Sequence, residues 1–206
     1  MSKTKEEFIE FYQDKFLPIY SDLVAVFGDK PEQLLIEFEN ISIHLIQYLK
    51  SPASAIGKDN MSKAYNHMLR AAIDSYKMLW IYFDRELKNL FNNKWHRRFA
   101  LNMSHSEFIQ QFNKFKDEAK EARKLEMTNV GVAPEDCINL YNSVVEIGWN
   151  ILKKYDREKA AALDKFKIWT YLKSQLVGFL LGVVASLVTG YFLEAFKIFN
   201  DAPVVK

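Results

Sequence analysis

Cationic and aromatic side chains alternate in one short stretch of the sequence, residues 92–99, which reads NNKWHRRF. Aromatic rings stack on nucleobases, and the forked guanidinium of arginine holds a phosphate through two hydrogen bonds. The candidate residues for a nucleotide or oligonucleotide site are Lys94, Trp95, Arg97 and Arg98. The alternative interpretation is a solvated turn in which Trp95 and Phe99 fill the core of a helical bundle.

A second set of polar residues has the spacing of one helix face. Asn66, Arg70 and Asp74 follow one another at intervals of four, so a helix places them in one line. Such a line inside a bundle forms the wall of a polar pocket, and we add Asn66 and Arg70 to the candidate ligand-binding residues. The alternative is a helical ion pair on the surface, which contributes little free energy.

Few residues have a pattern that suits catalysis. Arg98 and His105 have the loose Arg–His spacing of HEPN-type ribonucleases, helical domains that pair such motifs across a dimer. Phe99 replaces the polar residue usual after that arginine, and Ser104 with Glu107 is typical of a helix cap. The histidines show no metal-ligand spacing. We therefore expect no enzyme, metal or cofactor, with a membrane-tethered ribonuclease as the alternative.

Residues 174–193 form an uncharged run of 20 residues, SQLVGFLLGVVASLVTGYFL. A helix of this length is about 30 Å long, which matches the hydrocarbon thickness of a bilayer. The run predicts a transmembrane helix over residues 174–194. Small residues at every fourth position let helix backbones approach closely, which favours self-association. The predicted oligomerisation or pore residues are Gly178, Gly182, Ser186, Thr189 and Gly190.

The charge on either side of this run predicts its orientation. Residues 153–173 carry seven Lys or Arg, whereas only Lys197 and Lys206 follow the run. The positive-inside rule then places the larger preceding domain in the cytoplasm and the short tail across the membrane. We expect a single-pass protein of the bacterial inner membrane, whose basic segment meets anionic lipid headgroups.

Helical periodicity runs through the rest of the chain, and no strand pattern is found. The predicted fold class is all-α, a cytoplasmic helical bundle whose long last helix continues into a single C-terminal transmembrane helix. The predicted domains are the bundle (1–155), a basic juxtamembrane stalk (156–173), the transmembrane helix (174–194) and a short extracytoplasmic tail (195–206).

The boundaries of the helices are predicted from turn and capping residues. Ser51–Asn60 and Thr128–Asp136 are predicted loops, and a break is predicted near Asn92. No proline lies between Pro134 and Asn200, so one straight helix of about 100 Å is predicted there. Such a helix would be a rigid link from bundle to membrane. The alternative is a break at residues 156–159.

This architecture resembles the small membrane effectors of bacterial anti-phage systems, of which the Hailong-type channel effectors are the nearest. The resemblance covers the arrangement of the whole chain. It implies a homo-oligomer, from dimer to tetramer, that opens an ion channel when a nucleotide or oligonucleotide signal arrives from a partner enzyme. It also implies depolarisation of the membrane and growth arrest of infected cells. The same architecture fits a tail-anchored tether that binds another protein.

Overall fold

The computed structural model describes residues 3–128 and 134–200, with side chains described as far as Leu193. These residues form α-helices joined by short connections, which confirms the all-α fold class. The helices are α1 (Lys5–Phe11), α2 (Leu17–Phe27), α3 (Glu32–Lys50), α4 (Ala55–Asn92), α5 (Lys94–Phe99), α6 (His105–Thr128), α7 (Pro134–Leu152) and α8 (Arg157–Asn200). The chain divides into two compact units, Met1–Tyr155 and Asp156–Lys206.

Helix α4 lies at the centre of the first unit. It packs against α2, α3 and α7, and α6 packs against α7 in turn. The apolar stripe that the sequence predicts for α4 is buried along its whole length, as expected for an amphipathic helix with 3.6 residues per turn. This buried stripe consists of Tyr65, Met68, Leu69, Ala72, Tyr76, Leu79, Phe83, Leu87 and Leu90.

Helix α4 begins earlier than the sequence predicts. Residues 51–60 were expected to form a loop, but α4 starts at Ala55, and the hydroxyl of Ser54 accepts a hydrogen bond from Gly57 N at 2.9 Å. This bond satisfies one of the free N–H groups at the helix start. A Cβ at position 57 would lie 2.0 Å from the carbonyl oxygen of Ser51, so the turn requires glycine there.

The first two helices are joined without leaving helical structure. A π-helical turn, Tyr12–Phe16, connects α1 to α2, and Pro18 lies in the first turn of α2. Proline lacks an N–H and cannot close the usual hydrogen bond, and the wider turn accommodates it without ending the helical structure. Helix α2 ends at Gly28, whose φ of 71° is the left-handed conformation that suits a glycine C-cap.

The prediction of one straight helix from Pro134 into the membrane is wrong. Helix α7 ends at Leu152, residues 153–156 are not helical, and α8 begins at Arg157. The alternative, a break close to residues 156–159, is nearer to the structure. Asp156 caps α8, since its carboxylate accepts a hydrogen bond from Lys159 N at 2.9 Å. This backbone bond lowers the pKa of Asp156 and gives the break a physical cause.

Two predicted segments lie partly outside the described residues. Most of the predicted loop at 128–136 falls within residues 129–133, which the structure does not describe. The predicted tail at 195–206 begins as helix, because α8 continues to Asn200, and residues 201–206 lie outside the description.

Candidate membrane helix and candidate ligand surfaces

Helix α8 exposes apolar side chains on all its sides. Between Arg157 and Leu193 it is long and apolar enough to cross a membrane, and none of its most apolar window is buried. The large apolar side chains from Leu176 to Leu193 are 41–74% exposed. In the first unit, by contrast, the large apolar residues of α4 meet other helices. Helix α8 therefore needs an apolar solvent, or other copies of itself, to cover it.

Aromatic residues flank the apolar part of α8 at the spacing of a bilayer. Trp169 and Tyr171 precede it and Tyr191 follows it, all three exposed. Twenty residues separate Tyr171 from Tyr191, which is about 30 Å along a helix. Tyrosine and tryptophan concentrate at the two membrane–water interfaces, where their rings are apolar and their tips polar. The ammonium group of Lys173 lies 5.1 Å from the centroid of the Trp169 ring, near one end of this segment.

The predicted small residues of α8 leave an open strip of backbone. A Cβ built on Gly178, Gly182 or Gly190 would meet nothing within 4 Å. These glycines and Ser186 lie four residues apart, which is slightly more than one helical turn. Each is therefore only slightly rotated from the one before, and together they form one face of the helix. Among the residues that the structure describes, no side chain fills this face at the glycines, which leaves it available to a second helix.

The two hydroxyls of the predicted pore set are bonded within α8. Ser186 Oγ donates to the carbonyl oxygen of Gly182, and Thr189 Oγ1 donates to that of Ala185, each at 2.9 Å. A hydroxyl bonded in this way needs no water, and it can face lipid or a neighbouring helix. The described part of α8 is therefore suited to tight packing in a dry environment.

Helix α5 brings together most of the predicted ligand residues. Lys94, Trp95, Arg98 and Phe99 lie on one exposed side of this short helix. The rings of Trp95 and Phe99 stack with 5.5 Å between their centroids, and each residue is 54% exposed. The alternative in which these two residues fill the bundle core is therefore wrong. The surface offers a stacked aromatic pair beside two cations, which suits a flat anionic ligand such as a nucleotide.

Arg97 does not belong to that exposed surface. It is half-buried on the other side of α5, and its guanidinium carbon lies 5.4 Å from the centroid of the Phe91 ring. The reason is the helical period, because position 97 falls away from the arc that contains Lys94 and Arg98. Arg97 contacts the bundle and positions α5, and it is not placed to bind a ligand together with Arg98.

Asn66 and Arg70 lie far from α5. Both are exposed in the first half of α4, and α4 continues without interruption to Asn92. The 22 residues from Arg70 to Asn92 span about 33 Å, so these residues cannot join one small-ligand site with α5. The predicted pocket wall is wrong too, because Asn66 and Arg70 face solvent and the half-buried Asp74 lies 3.6 Å from Lys77.

Helix α5 holds the segment where the first unit ends. Tyr155 Oη is 2.8 Å from His96 Nδ1, and Tyr155 also forms a bridge with Leu101. Asn102 N donates to the carbonyl oxygen of Lys154 at 2.8 Å. The ammonium group of Lys154 lies 2.7 Å from Glu107, and this bond lowers the pKa of Glu107. Residues 154–155 are thus anchored to α5 and to the chain just after it.

The structure also contains a groove that sequence reasoning missed. It lies between α4 and α6, has a volume of about 520 Å³ in the range of small-ligand pockets, and its apolar lining is formed by Trp80, Phe115 and Met127. Its cationic rim consists of Lys116, Lys120, Arg123 and Lys124. Their spacing places all four on one face of α6. This pattern is hard to recognise in the sequence because α6 carries many other charged residues. Such a groove suits an anion with an apolar body.

A half-buried carboxylate fixes the helices beside this groove. Glu126 accepts hydrogen bonds from Lys77, Arg123 and Tyr141, each at 2.9 Å. Burial alone would raise the pKa of Glu126, but these three bonds outweigh it and the pKa is lowered. Burial and the bond to Glu126 raise the pKa of Tyr141. The cluster joins α4, α6 and α7 and keeps Arg123 only partly available to a ligand.

The remaining candidate residues are not assembled into a recognisable centre. Arg98 lies on α5, and His105 is the first residue of α6, and both are exposed. Within the described parts of the chain, no group of three His, Cys, Asp or Glu residues could hold a metal ion. Comparison of the chain with protein-family models, with curated proteins and with solved structures finds no match.

Proposed function

We propose that the protein is a membrane effector whose α8 crosses a bacterial inner membrane once and associates with α8 of other copies. In this proposal the bundle lies in the cytoplasm, where a nucleotide or oligonucleotide from a partner enzyme opens a pore. The outcome for the cell is disruption of the membrane during phage infection. The single observation that carries the proposal is α8, an apolar helix with aromatic ends and an open strip of small residues.

The break at residues 153–156 changes how a ligand could act on the membrane. A rigid lever from Pro134 is not present, so the signal passes through the contact of α5 with Tyr155 and the bond of Asn102 to Lys154. A ligand on Trp95 and Arg98 alters the position of α5 and hence of the residues that precede α8. It drives opening only if it binds the open state more tightly than the closed state.

The pore itself is narrow and apolar. The uncharged run of α8 offers few hydroxyl or amide groups, and the hydroxyls of Ser186 and Thr189 are bonded within the helix. A constriction lined in this way closes by losing its water and opens when the helices separate slightly. The resting assembly is therefore a closed and tightly packed one.

Ion flux from liposomes tests the proposal. The full chain is reconstituted with a trapped ion-sensitive dye, and flux is recorded with and without ATP or a short single-stranded RNA. We expect flux that Gly182→Leu abolishes, because a leucine fills the open strip. The control is Val184→Leu, on the opposite side of α8, which should retain flux. Equal flux from both variants would remove the strip from the mechanism.

The α5 surface is tested by charge reversal. Arg98→Glu should weaken binding of the same probes and raise the concentration needed for flux, since it removes a phosphate contact. Glu121→Lys serves as a control charge change on an exposed part of α6. Flux that responds to a probe equally in both variants would place the ligand elsewhere, with the groove beside Trp80 as the next site to examine.

A tail-anchored tether is the second candidate function. The internal hydroxyl bonds of α8 favour it, because a helix whose hydroxyls are bonded internally packs tightly and has few groups to line a water-filled pore. A tether predicts stable association, no flux under any condition, and one stoichiometric protein bound to the bundle after purification. The ribonuclease alternative predicts RNA cleavage by the full chain that Arg98→Ala and His105→Ala each abolish.

A further inference from the structure

Helix α3 has two apolar faces, and only one of them is covered. Leu34 and Ile41 are buried against the bundle, and so is the carboxylate of Glu37, which lies 2.7 Å from His67 Nδ1. His44 Nδ1 is 2.8 Å from Asn60 Oδ1. These polar contacts with α4 fix the rotation of α3 about its own axis. The opposite face is therefore held towards solvent.

The outer face of α3 carries large aliphatic residues. These residues, each 46–67% exposed, are Leu35, Ile36, Ile43, Ile46 and Leu49. Positions 36, 39, 43, 46 and 50 alternate spacings of three and four, which is the a/d pattern of a coiled-coil seam. We define the α3 seam as these five positions. Three of the five are exposed isoleucines, Ile36, Ile43 and Ile46, and exposed apolar residues that share one face indicate an interaction surface.

Two charges on the α3 seam determine which partner fits it. Glu39 and Lys50 are exposed and lie at equal distances from the midpoint between residues 44 and 45. When two copies of α3 pair antiparallel about a two-fold axis at that midpoint, Glu39 of one copy faces Lys50 of the other. In the same register, Ile43 faces Ile46 in both halves. The seam is therefore complementary to itself over residues 39–50, whereas Ile36 would face position 53, beyond the end of α3.

A parallel pairing of the same seam has the opposite result. Glu39 would then face Glu39 of the second copy, and Lys50 would face Lys50, so both charged positions would repel. Like charges juxtaposed in an interface are strongly unfavourable. From this asymmetry we propose that α3 is a second self-association surface, which pairs with α3 of another copy in antiparallel orientation. The proposal does not depend on pore formation or on α8.

Charge exchange tests the orientation directly. The full chain in detergent is studied by sedimentation in a Gly182→Leu background, which removes the association expected of α8. Glu39→Lys and Lys50→Glu should each raise the dimer dissociation constant about tenfold or more, because each creates two repulsive contacts. The double variant Glu39→Lys with Lys50→Glu should restore it to within about threefold of the parent, since the antiparallel pairs are re-formed with exchanged signs.

The control for this experiment is Glu121→Lys, an equal charge change on exposed α6, which should leave the dissociation constant unchanged. Circular dichroism checks that each variant keeps its helical content, as expected for exposed positions. A protein with the native seam that sediments as a monomer would overturn the proposal. The seam would then be assigned to contact with a membrane surface or with another protein. A double variant no tighter than the single ones would also overturn it. Neither result bears on α8, which a separate comparison of Gly182→Leu with Val184→Leu tests.

Discussion

Glycine has different surroundings in the bundle and in α8. A Cβ added to Gly148 in α7 would lie 2.5 Å from the Phe83 ring, whereas one added to Gly182 in α8 would meet nothing within 4 Å. The bundle uses its small residue to bring α7 close to α4. Helix α8 carries the same kind of residue with no side chain packed against it in the described part of the structure. The difference shows that the first unit completes its own core and that α8 depends on its environment.

Polar groups differ between the two regions in the same way. In the bundle, Glu126 gathers bonds from three different helical positions and ties α4, α6 and α7 together. In α8, Ser186 and Thr189 bond only to their own helix. Polar residues of the first unit thus join one helix to another. The hydroxyls of Ser186 and Thr189 instead form hydrogen bonds within α8. Replacement of a core ring and addition of a methyl group should therefore affect the bundle and leave α8 unaffected, whereas changes to Glu126 and Ser54 test the bonds of the bundle itself.

The largest expected effect is the removal of a core ring. Phe83 is fully buried, whereas Phe179 in α8 is 67% exposed. We expect Phe83→Ala to lower the free energy of unfolding of the bundle by about 3–5 kcal/mol, because it leaves a cavity. Phe179→Ala should leave that free energy unchanged. Urea unfolding in detergent, followed by the near-ultraviolet circular dichroism of the bundle, measures both. Similar losses in the two variants would show that α8 belongs to the folded core.

Replacement of glycine by alanine should have different effects on bundle stability at Gly148 and at Gly182. Gly148→Ala forces the new Cβ into the Phe83 ring and should destabilise the bundle by about 1–3 kcal/mol. Gly182→Ala meets open space and should not alter unfolding of the bundle. The thermal midpoint of each variant in detergent is a sufficient measurement. An unchanged midpoint for Gly148→Ala would contradict the close contact of α7 with α4.

Acid should weaken the bundle through Glu126. The pKa of Glu126 is below its ordinary value of 4.5, so its contribution is complete above that pH. The contribution is lost as the pH falls through the lowered pKa, because the carboxylate must then be protonated. Burial raises the pKa of Asp74, which acts in the opposite direction. We therefore compare unfolding of the protein with that of Glu126→Gln.

The difference in free energy of unfolding between the native protein and Glu126→Gln measures the contribution of the Glu126 carboxylate. At pH 7, Glu126→Gln should be less stable by about 1–3 kcal/mol, the range for hydrogen bonds to a charged group. The two stabilities should converge as the pH falls below 4.5. A constant difference across this range would show that the negative charge of Glu126 contributes nothing.

The smallest expected effect concerns the start of α4. Ser54→Ala removes the hydroxyl that accepts a bond from Gly57 N, and it should cost about 1 kcal/mol. Ser54→Asp supplies a carboxylate acceptor at the same place and should retain most of the stability. Chemical unfolding of the two variants distinguishes a capped helix start from the loop that the sequence predicts at residues 51–60. Equal stability of both would favour the loop.

Regular periodicity made much of the fold predictable. The buried stripe of α4, the break near Asn92 and the short helix after it follow from the spacing of apolar residues and from turn residues. The end of α7 did not follow, because the bonds that hold residues 154–155 come from α5 and Asn102, distant in sequence. Residues 149–156, around the end of α7, contain no Gly or Pro, so local patterns do not predict a helix end that depends on distant contacts.

The candidate sites were predictable only in part, for a similar reason. The helical period of α5 places Lys94, Trp95 and Arg98 on one side. The same period places Arg97 on the other side, beside Phe91. Asn66 and Arg70 could not be placed from spacing, because their distance from α5 depends on the full length of α4. The groove beside Trp80 required two helices to meet, and the α3 seam required knowledge of which face α4 covers.

The most direct test of this account measures association of α8 in a bilayer. Full-length protein labelled with donor and acceptor dyes is reconstituted at decreasing protein-to-lipid ratios, and energy transfer is recorded. Glu39→Lys is present throughout, so that the α3 seam does not contribute. We predict that Val184→Leu retains the energy transfer of this background and that Gly182→Leu loses most of it. Equal transfer in the two variants, or transfer no greater than random proximity in Val184→Leu, would contradict the claim that the open strip joins α8 helices.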